Sequence, residues 1–126
     1  MTDLGDERYV SLGTFRKSGV EVRTPVWIAQ SATGEVLYVY TNRTSGKVKR
    51  IRNGARVRLA PCTASGHVTG DWTEAEARML DTPNERELGL EAIIRKYGLQ
   101  MRLALLASRF SGRYADRAVI EIRVGA

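Results

Sequence analysis

Three features of the 126-residue sequence predict a mainly β fold with helices (α+β), built as a small barrel of about six strands with one short basic helix and a C-terminal helical pair. Apolar residues alternate at period two through most of the first half, and several glycines fall where curved strands need relief. Long helical stripes follow only after Thr82, beyond one short helical stretch after Gly46. The length suits one unit, so residues 1–126 are expected to form a single domain.

The elements follow in order. Tyr9 to Lys17 carries Tyr9, Phe15 and β-branched residues up to the turn pair Ser18 and Gly19. Val20, Val22, Thr24, Val26 and Ile28 then share one face of a second strand that ends at Gln30, so the two segments read as a hairpin. Thr33 and Gly34 turn the chain into Val36 to Tyr40, which runs out in the polar stretch TNRTSG. Val48 and Ile51, three apart among Lys47, Lys49, Arg50 and Arg52, predict one or two helical turns stopped by Asn53-Gly54. Ala55 to Cys62 alternates again, with Val57 and Leu59 opposite Arg56 and Arg58.

Residues 66–80 support two readings equally. Asp71 and Glu74 would make a capping box ahead of the helix formers EAEARML, whereas Gly66, Val68, Gly70 and Trp72 fit a glycine-relieved strand. Thr82-Pro83-Asn84-Glu85 supplies an N-cap, a proline at the first helical position and an acid three residues after the cap. Leu90, Ile93, Ile94 and Tyr97 make one helical stripe, Gly98 breaks it, and Leu99, Leu103, Leu106 and Phe110 make a second. Ala118 to Val124 alternates once more and closes the fold.

Composition excludes several classes of function. At 43% hydrophobic and 27% charged the chain is globular, and no apolar run approaches the roughly 20 residues of a membrane span. The start, MTDLGDERYV, carries acids where a signal peptide has basic and then apolar residues, so a cytoplasmic protein is expected. A single cysteine, Cys62, rules out an intrachain disulfide, and a single histidine, His67, leaves no set of Cys and His ligands for a structural zinc within one chain. The same scarcity argues against Ser-His-Asp and Cys-His hydrolases. Cys62 reads as buried and inert, and His67 as structural.

The charge is patterned. The net charge is +6, but residues 43–58 alone carry Arg43, Lys47, Lys49, Arg50, Arg52, Arg56 and Arg58 with no acid, while residues 71–91 sum to −5. A solvated basic face would explain the first segment. So would an anion cradle: a Thr-Asn-x-x-Ser-Gly loop entering a helix presents free backbone N–H groups, and lysine and arginine add donors suited to phosphate. Nucleic acid is disfavoured, because no aromatic residue interrupts residues 43–58 and the basic helix is too short for a recognition helix.

The run VYTNRTSGKVKRIRNGARVRL, preceded by RTPVWI and followed by GHVTGDW and ARML, resembles the flavin and deazaflavin oxidoreductase superfamily with a split β-barrel, typified by pyridoxamine 5′-phosphate oxidase. Tyr40, Thr41, Ser45 and Lys47 match the family's phosphate loop, and Arg23 to Trp27 match the strand along its ring system. Gly46 stands where the FMN enzymes usually carry arginine. The match is closer to the small actinobacterial branch that uses the deazaflavin coenzyme F-420, whose Ser-x-Lys-x-Lys-x-Ile-Arg tract is repeated here.

That resemblance implies a reductase transferring a hydride between F-420 and an electron-poor double bond or similar small-molecule acceptor. It places Lys47, Lys49 and Arg50 on the phosphate and acidic tail, with Thr41 and Ser45 as hydroxyl donors. Backbone groups of Pro25, Val26 and Trp27 would flank the ring, and Arg23 would either reach the coenzyme or pair with a neighbouring acid. It also implies a homodimer with the coenzyme at the subunit interface. An FMN-binding enzyme of the same fold, a non-catalytic cofactor carrier and a nucleic-acid-binding module are the alternatives. No residue stands out as a catalytic acid or base.

Overall fold

The computed structural model describes residues 4–100, 102, 103, 106 and 117–124. After a 3-10 turn (Leu4–Asp6), the chain forms β1 (Tyr9–Phe15), β2 (Glu21–Val26), β3 (Ile28–Gln30), β4 (Leu37–Asn42), α1 (Gly46–Asn53), β5 (Arg56–Cys62), β6 (Thr73–Met79), α2 (Pro83–Tyr97) and β7 (Arg117–Val124). The strands make one antiparallel sheet in the order β2-β1-β5-β6-β7-β4-β3, curled into a half-barrel. This is the α+β split barrel that the sequence suggests.

The alternation decides which face turns inward. Val10 and Leu12 of β1, Val57 and Leu59 of β5, Ala75 and Ala77 of β6, Ile120 and Ile122 of β7 and Val39 of β4 line the concave side, most of them fully buried. Val48 and Ile51, one turn apart on α1, join the same cluster, so the short helix plugs one end of the barrel. Its basic residues are thereby left to point elsewhere.

One expectation is corrected and one open reading is settled. The strand expected over residues 20–30 is two strands: β2 pairs with β1, β3 pairs with β4, and the chain turns the barrel corner at Trp27. That makes seven strands among the described residues, where about six were expected. Residues 66–80 resolve as strand where they are regular at all: Ala75, Ala77 and Met79 are buried while Glu74, Glu76 and Arg78 are exposed, and ladders to β5 and β7 satisfy both edges of β6. Two hydrogen-bonded neighbours outweigh the helix propensity of EAEARM.

α2 lies on the outer face, where Leu90, Ala92, Ile93 and Tyr97 pack with Ala29, Trp27, Tyr38 and Tyr40. Its start is as expected: the Thr82 hydroxyl accepts from the Glu85 N–H with Pro83 at the first position. Gly89 allows the close approach, since a Cβ there would stand 2.6 Å from Val119 Cγ1. Burying Ile93 completely contributes about 1.5–3 kcal/mol. The end of α2 pins the corner. Tyr97 accepts from the Ile28 N–H at 2.9 Å and stacks on Trp27 with ring centroids 4.7 Å apart. Lys96 donates to the carbonyls of Gly5, Glu7 and Ile28.

The second helix of the expected pair lies partly within the described residues: Leu99, Leu103 and Leu106 are helical and exposed, and Phe110 lies outside the described residues. No helix among the described residues is long and apolar enough to cross a membrane.

Candidate functional site

The split in the barrel follows from the topology. β3 pairs with β4 only from Leu37 to Val39, so Tyr40, Thr41 and Asn42 extend past their partner. β2 is the opposite edge of the sheet, and it approaches β4 without a ladder. A seam therefore runs between β2 and the far half of β4, with Trp27 at one end and the start of α1 at the other. From Val22 to Trp27 it spans six residues, about 17 Å over five steps at the rise of an extended strand. Pro25, which has no N–H to give, stands on this edge strand, as a proline in a sheet must.

Three threonines occupy inward positions around the seam where alternation calls for apolar residues: Thr14 on β1, Thr24 on β2 and Thr41 on β4. Thr14 is fully buried; its hydroxyl donates to the Val22 carbonyl at 3.4 Å and accepts from Arg50 Nε at 2.6 Å. Thr41 is buried and lies 3.4 Å from the Ser45 hydroxyl. Thr24 Oγ1 is buried with no hydrogen-bond partner among the described residues. An orphaned hydroxyl of this kind costs about 1–3 kcal/mol unless a ligand satisfies it.

Asn42 shapes the loop into α1, its side-chain oxygen accepting from the Thr44 N–H at 2.9 Å and the Thr44 hydroxyl at 2.7 Å. Ser45 then stands at the N-cap of α1, yet its side chain makes no capping bond and turns to Thr41 instead. The first N–H groups of the helix are left without a side-chain acceptor. The Arg50 guanidinium folds back over this end, with Nη1 2.6 Å from where a Cβ on Gly46 would stand.

Six of the seven cations of residues 43–58 divide into two sets. Arg52 pairs with Asp81 at 2.7 Å, Arg56 with Glu74 at 2.9 Å, and Arg58 with Glu21 through two bonds of 2.8 Å. Lys47, Lys49 and Arg50 make no ion pair among the described residues. Burial and then the nearby Arg50 hold Lys47 below the usual lysine range, and burial and then Arg16 hold Arg50 below its own. Like charges are thus gathered at the uncapped helix end, and Lys49 is exposed on the same helix.

Of the residues singled out from sequence, Thr41, Ser45, Lys47 and Arg50 come together here. Val26 is buried on the inner face of β2, and Trp27 is half-buried at the corner. Arg23 lies on the outer face: its Nε bonds Glu21 at 2.8 Å and its guanidinium sits 4.3 Å from the Trp72 ring centre, so of its two readings the structure shows the acid partner. Cys62 is half-buried at the end of β5, not buried; burial and then Glu7 push its thiol up, which keeps it protonated and unreactive. His67 is exposed on the loop after β5. Sequence reasoning missed Thr14, Arg16 and Thr24. The available clue was a polar residue at an inward position in each of two alternating strands.

A half-barrel sheet with an open seam and an end-capping basic helix defines the α+β split-barrel fold. No protein-family model and no curated protein matches the sequence. Solved structures do match in fold. A protein named F420 reductase shares 20% identity at a TM-score of 0.60, over 98% of this chain and 91% of its own. A Listeria innocua protein named as a pyridoxamine 5′-phosphate oxidase shares 13% at 0.63, over 98% and 88%. HutZ, the heme storage protein of Vibrio cholerae, shares 10% at 0.67, over 98% and 85%. Identities this low establish the fold, and these neighbours differ in the activities their names carry.

Proposed function

We propose that this chain binds coenzyme F-420 in the seam between β2 and β4 and works as a reductase on a small-molecule acceptor with an electron-poor double bond or similar group. The observation that carries the reading is the cluster of Lys47 and Arg50 at the uncapped start of α1, without an acid among the described residues to neutralise it. The orphaned Thr24 hydroxyl, deeper along the same seam, supports a ligand that is long as well as anionic.

Lys47, Lys49 and Arg50 balance the phosphodiester and acidic tail, and the Thr41 and Ser45 hydroxyls donate to the same group. β2 is an edge strand, so alternate backbone groups between Glu21 and Val26 face the seam and are free to bond the polar rim of a ring, with Pro25, Val26 and Trp27 beside it. Thr24 adds the one side-chain hydroxyl on that stretch. When bound, the coenzyme supplies the hydride chemistry of its deazaflavin ring; the protein supplies position and charge. The chain is proposed to act as a homodimer, a reading supported by the exposed stripe of Leu99, Leu103 and Leu106.

Fluorescence polarisation of F-420 titrated with the protein tests this reading. Saturable binding is the expected result, together with colourless protein from a host that lacks F-420. Yellow protein with flavin absorbance would favour FMN, and a ligand absorbing as heme would transfer the site to that class. Oxidation of the reduced coenzyme only when an acceptor is present would separate an enzyme from a carrier.

A further inference from the structure

Among the three cations without an acid partner among the described residues, Arg50 is the one held by a side-chain hydrogen bond, and the residue that holds it, Thr14, lies outside the basic tract. The hydroxyl of Thr14 donates to the Val22 carbonyl, which aims its lone pair at Arg50 Nε; that N–H is consumed at 2.6 Å, and the guanidinium cannot swing away without leaving a buried hydroxyl half-satisfied. The other end of the guanidinium lies where a side chain on residue 46 would begin, 2.6 Å from the position of a Cβ, and Gly46 is the first residue of α1. Two nitrogens of the fork therefore remain beside the free N–H groups of the helix start.

We infer that Thr14 and Gly46 are positioning residues for anion recognition: Thr14 orients the Arg50 guanidinium through its hydroxyl, and Gly46 provides the space that lets the guanidinium reach the start of α1. The ligand invoked is the anionic end of the coenzyme, so this inference rests on the reading above. Affinity is thereby set from β1, 36 positions away in sequence from the arginine. Burial and then like-charge repulsion from Arg16, two residues beyond Thr14, depress Arg50, and an incoming anion would relieve the repulsion.

The test uses Thr14→Val, which keeps the shape and removes the hydroxyl, Thr14→Ser, which keeps the hydroxyl, and Gly46→Ala. The Arg50 Nε–H resonance, assigned by its loss in Arg50→Lys, reports the guanidinium's setting in the free protein. Inorganic pyrophosphate and F-420 serve as separate probes. Thr14→Val should shift that resonance and weaken both ligands about tenfold, the scale of one charge-assisted hydrogen bond; Thr14→Ser should restore both within about threefold. Gly46→Ala should move the resonance and weaken both ligands by less. An Arg50 resonance and affinities unchanged by Thr14→Val would overturn the inference, as would wild-type protein whose Arg50 resonance ignores pyrophosphate. If pyrophosphate moves the resonance as expected while F-420 fails to bind, the coenzyme reading falls and the Arg50 setting stands. Matching thermal transitions of the Thr14 variants guard against a folding defect.

Discussion

Residues 47–50 and residues 52–58 carry the same kind of charge and are adjacent in sequence, yet they have opposite fates. Arg52, Arg56 and Arg58 meet Asp81, Glu74 and Glu21, acids delivered by the loop after β6, by β6 itself and by β2. Lys47, Lys49 and Arg50 meet none among the described residues. The net charge of +6 is therefore a poor guide to where an anion would sit. Two acids of the 71–91 stretch, together with Glu21 of β2, neutralise the far part of the basic tract, and what survives is a short cluster at the start of one helix.

The comparison can be broken most forcefully at Arg50. Arg50→Ala should weaken F-420 binding roughly 100-fold, equivalent to about 2.7 kcal/mol for a charge-assisted fork. A change under about threefold would mean that the uncapped helix end is not the anion site.

The paired side should answer in stability. Glu21 is mostly buried between Arg58 and Arg23, and Glu21→Gln should cost about 1–2 kcal/mol, read as a Tm lower by about 4–8 °C. The hydrogen bonds from Arg58, more than those from Arg23, hold the Glu21 carboxyl below its unfolded value of 4.5. Its contribution is complete above pH 4.5 and is lost as pH falls through the lowered folded pKa, so Glu21→Gln should flatten acid denaturation in that window. An unchanged acid limb would remove Glu21 from this role.

Lys47 sharpens the comparison by its titration. Its pKa is lowered by burial and by Arg50, so in the free protein it loses its proton below the ordinary 10.5. F-420 affinity should decline with rising pH before that value is reached, with proton uptake on binding in alkaline buffer, and Lys47→Arg should abolish the decline. The smallest effect is expected at Arg52, half-exposed and paired with an exposed Asp81: Arg52→Ala should leave F-420 affinity within about twofold.

What could be read from the sequence was whatever chemistry is local. Thr82-Pro83-Asn84-Glu85 predicts its helix start because cap, proline and acid act within one turn. The same locality places Ser45 at the start of the basic helix and Asn53-Gly54 at its end. The turn of the chain at Trp27 was hidden, because Val26 and Ile28 keep the same inward parity through a corner set by distant partners, Tyr97 and Lys96. β6 was hidden for a similar reason: its helix-forming residues are overruled by ladders on both sides. In the site, the cations were legible and their neutralisation was not, since Glu21 lies 37 positions from Arg58 and Asp81 29 from Arg52. Thr14 and Thr24 break the apolar alternation visibly, but only the fold shows that one holds Arg50 and the other has no partner among the described residues.

The most direct measurement is a pair of F-420 polarisation titrations, one with Lys47→Ala combined with Lys49→Ala and one with Arg52→Ala combined with Arg56→Ala. The unpaired set should lose saturable binding, and the paired set should bind within about twofold of wild type. Equal losses in both would show a diffuse basic field at work, and unchanged binding by the first double variant would place the anion elsewhere on the molecule.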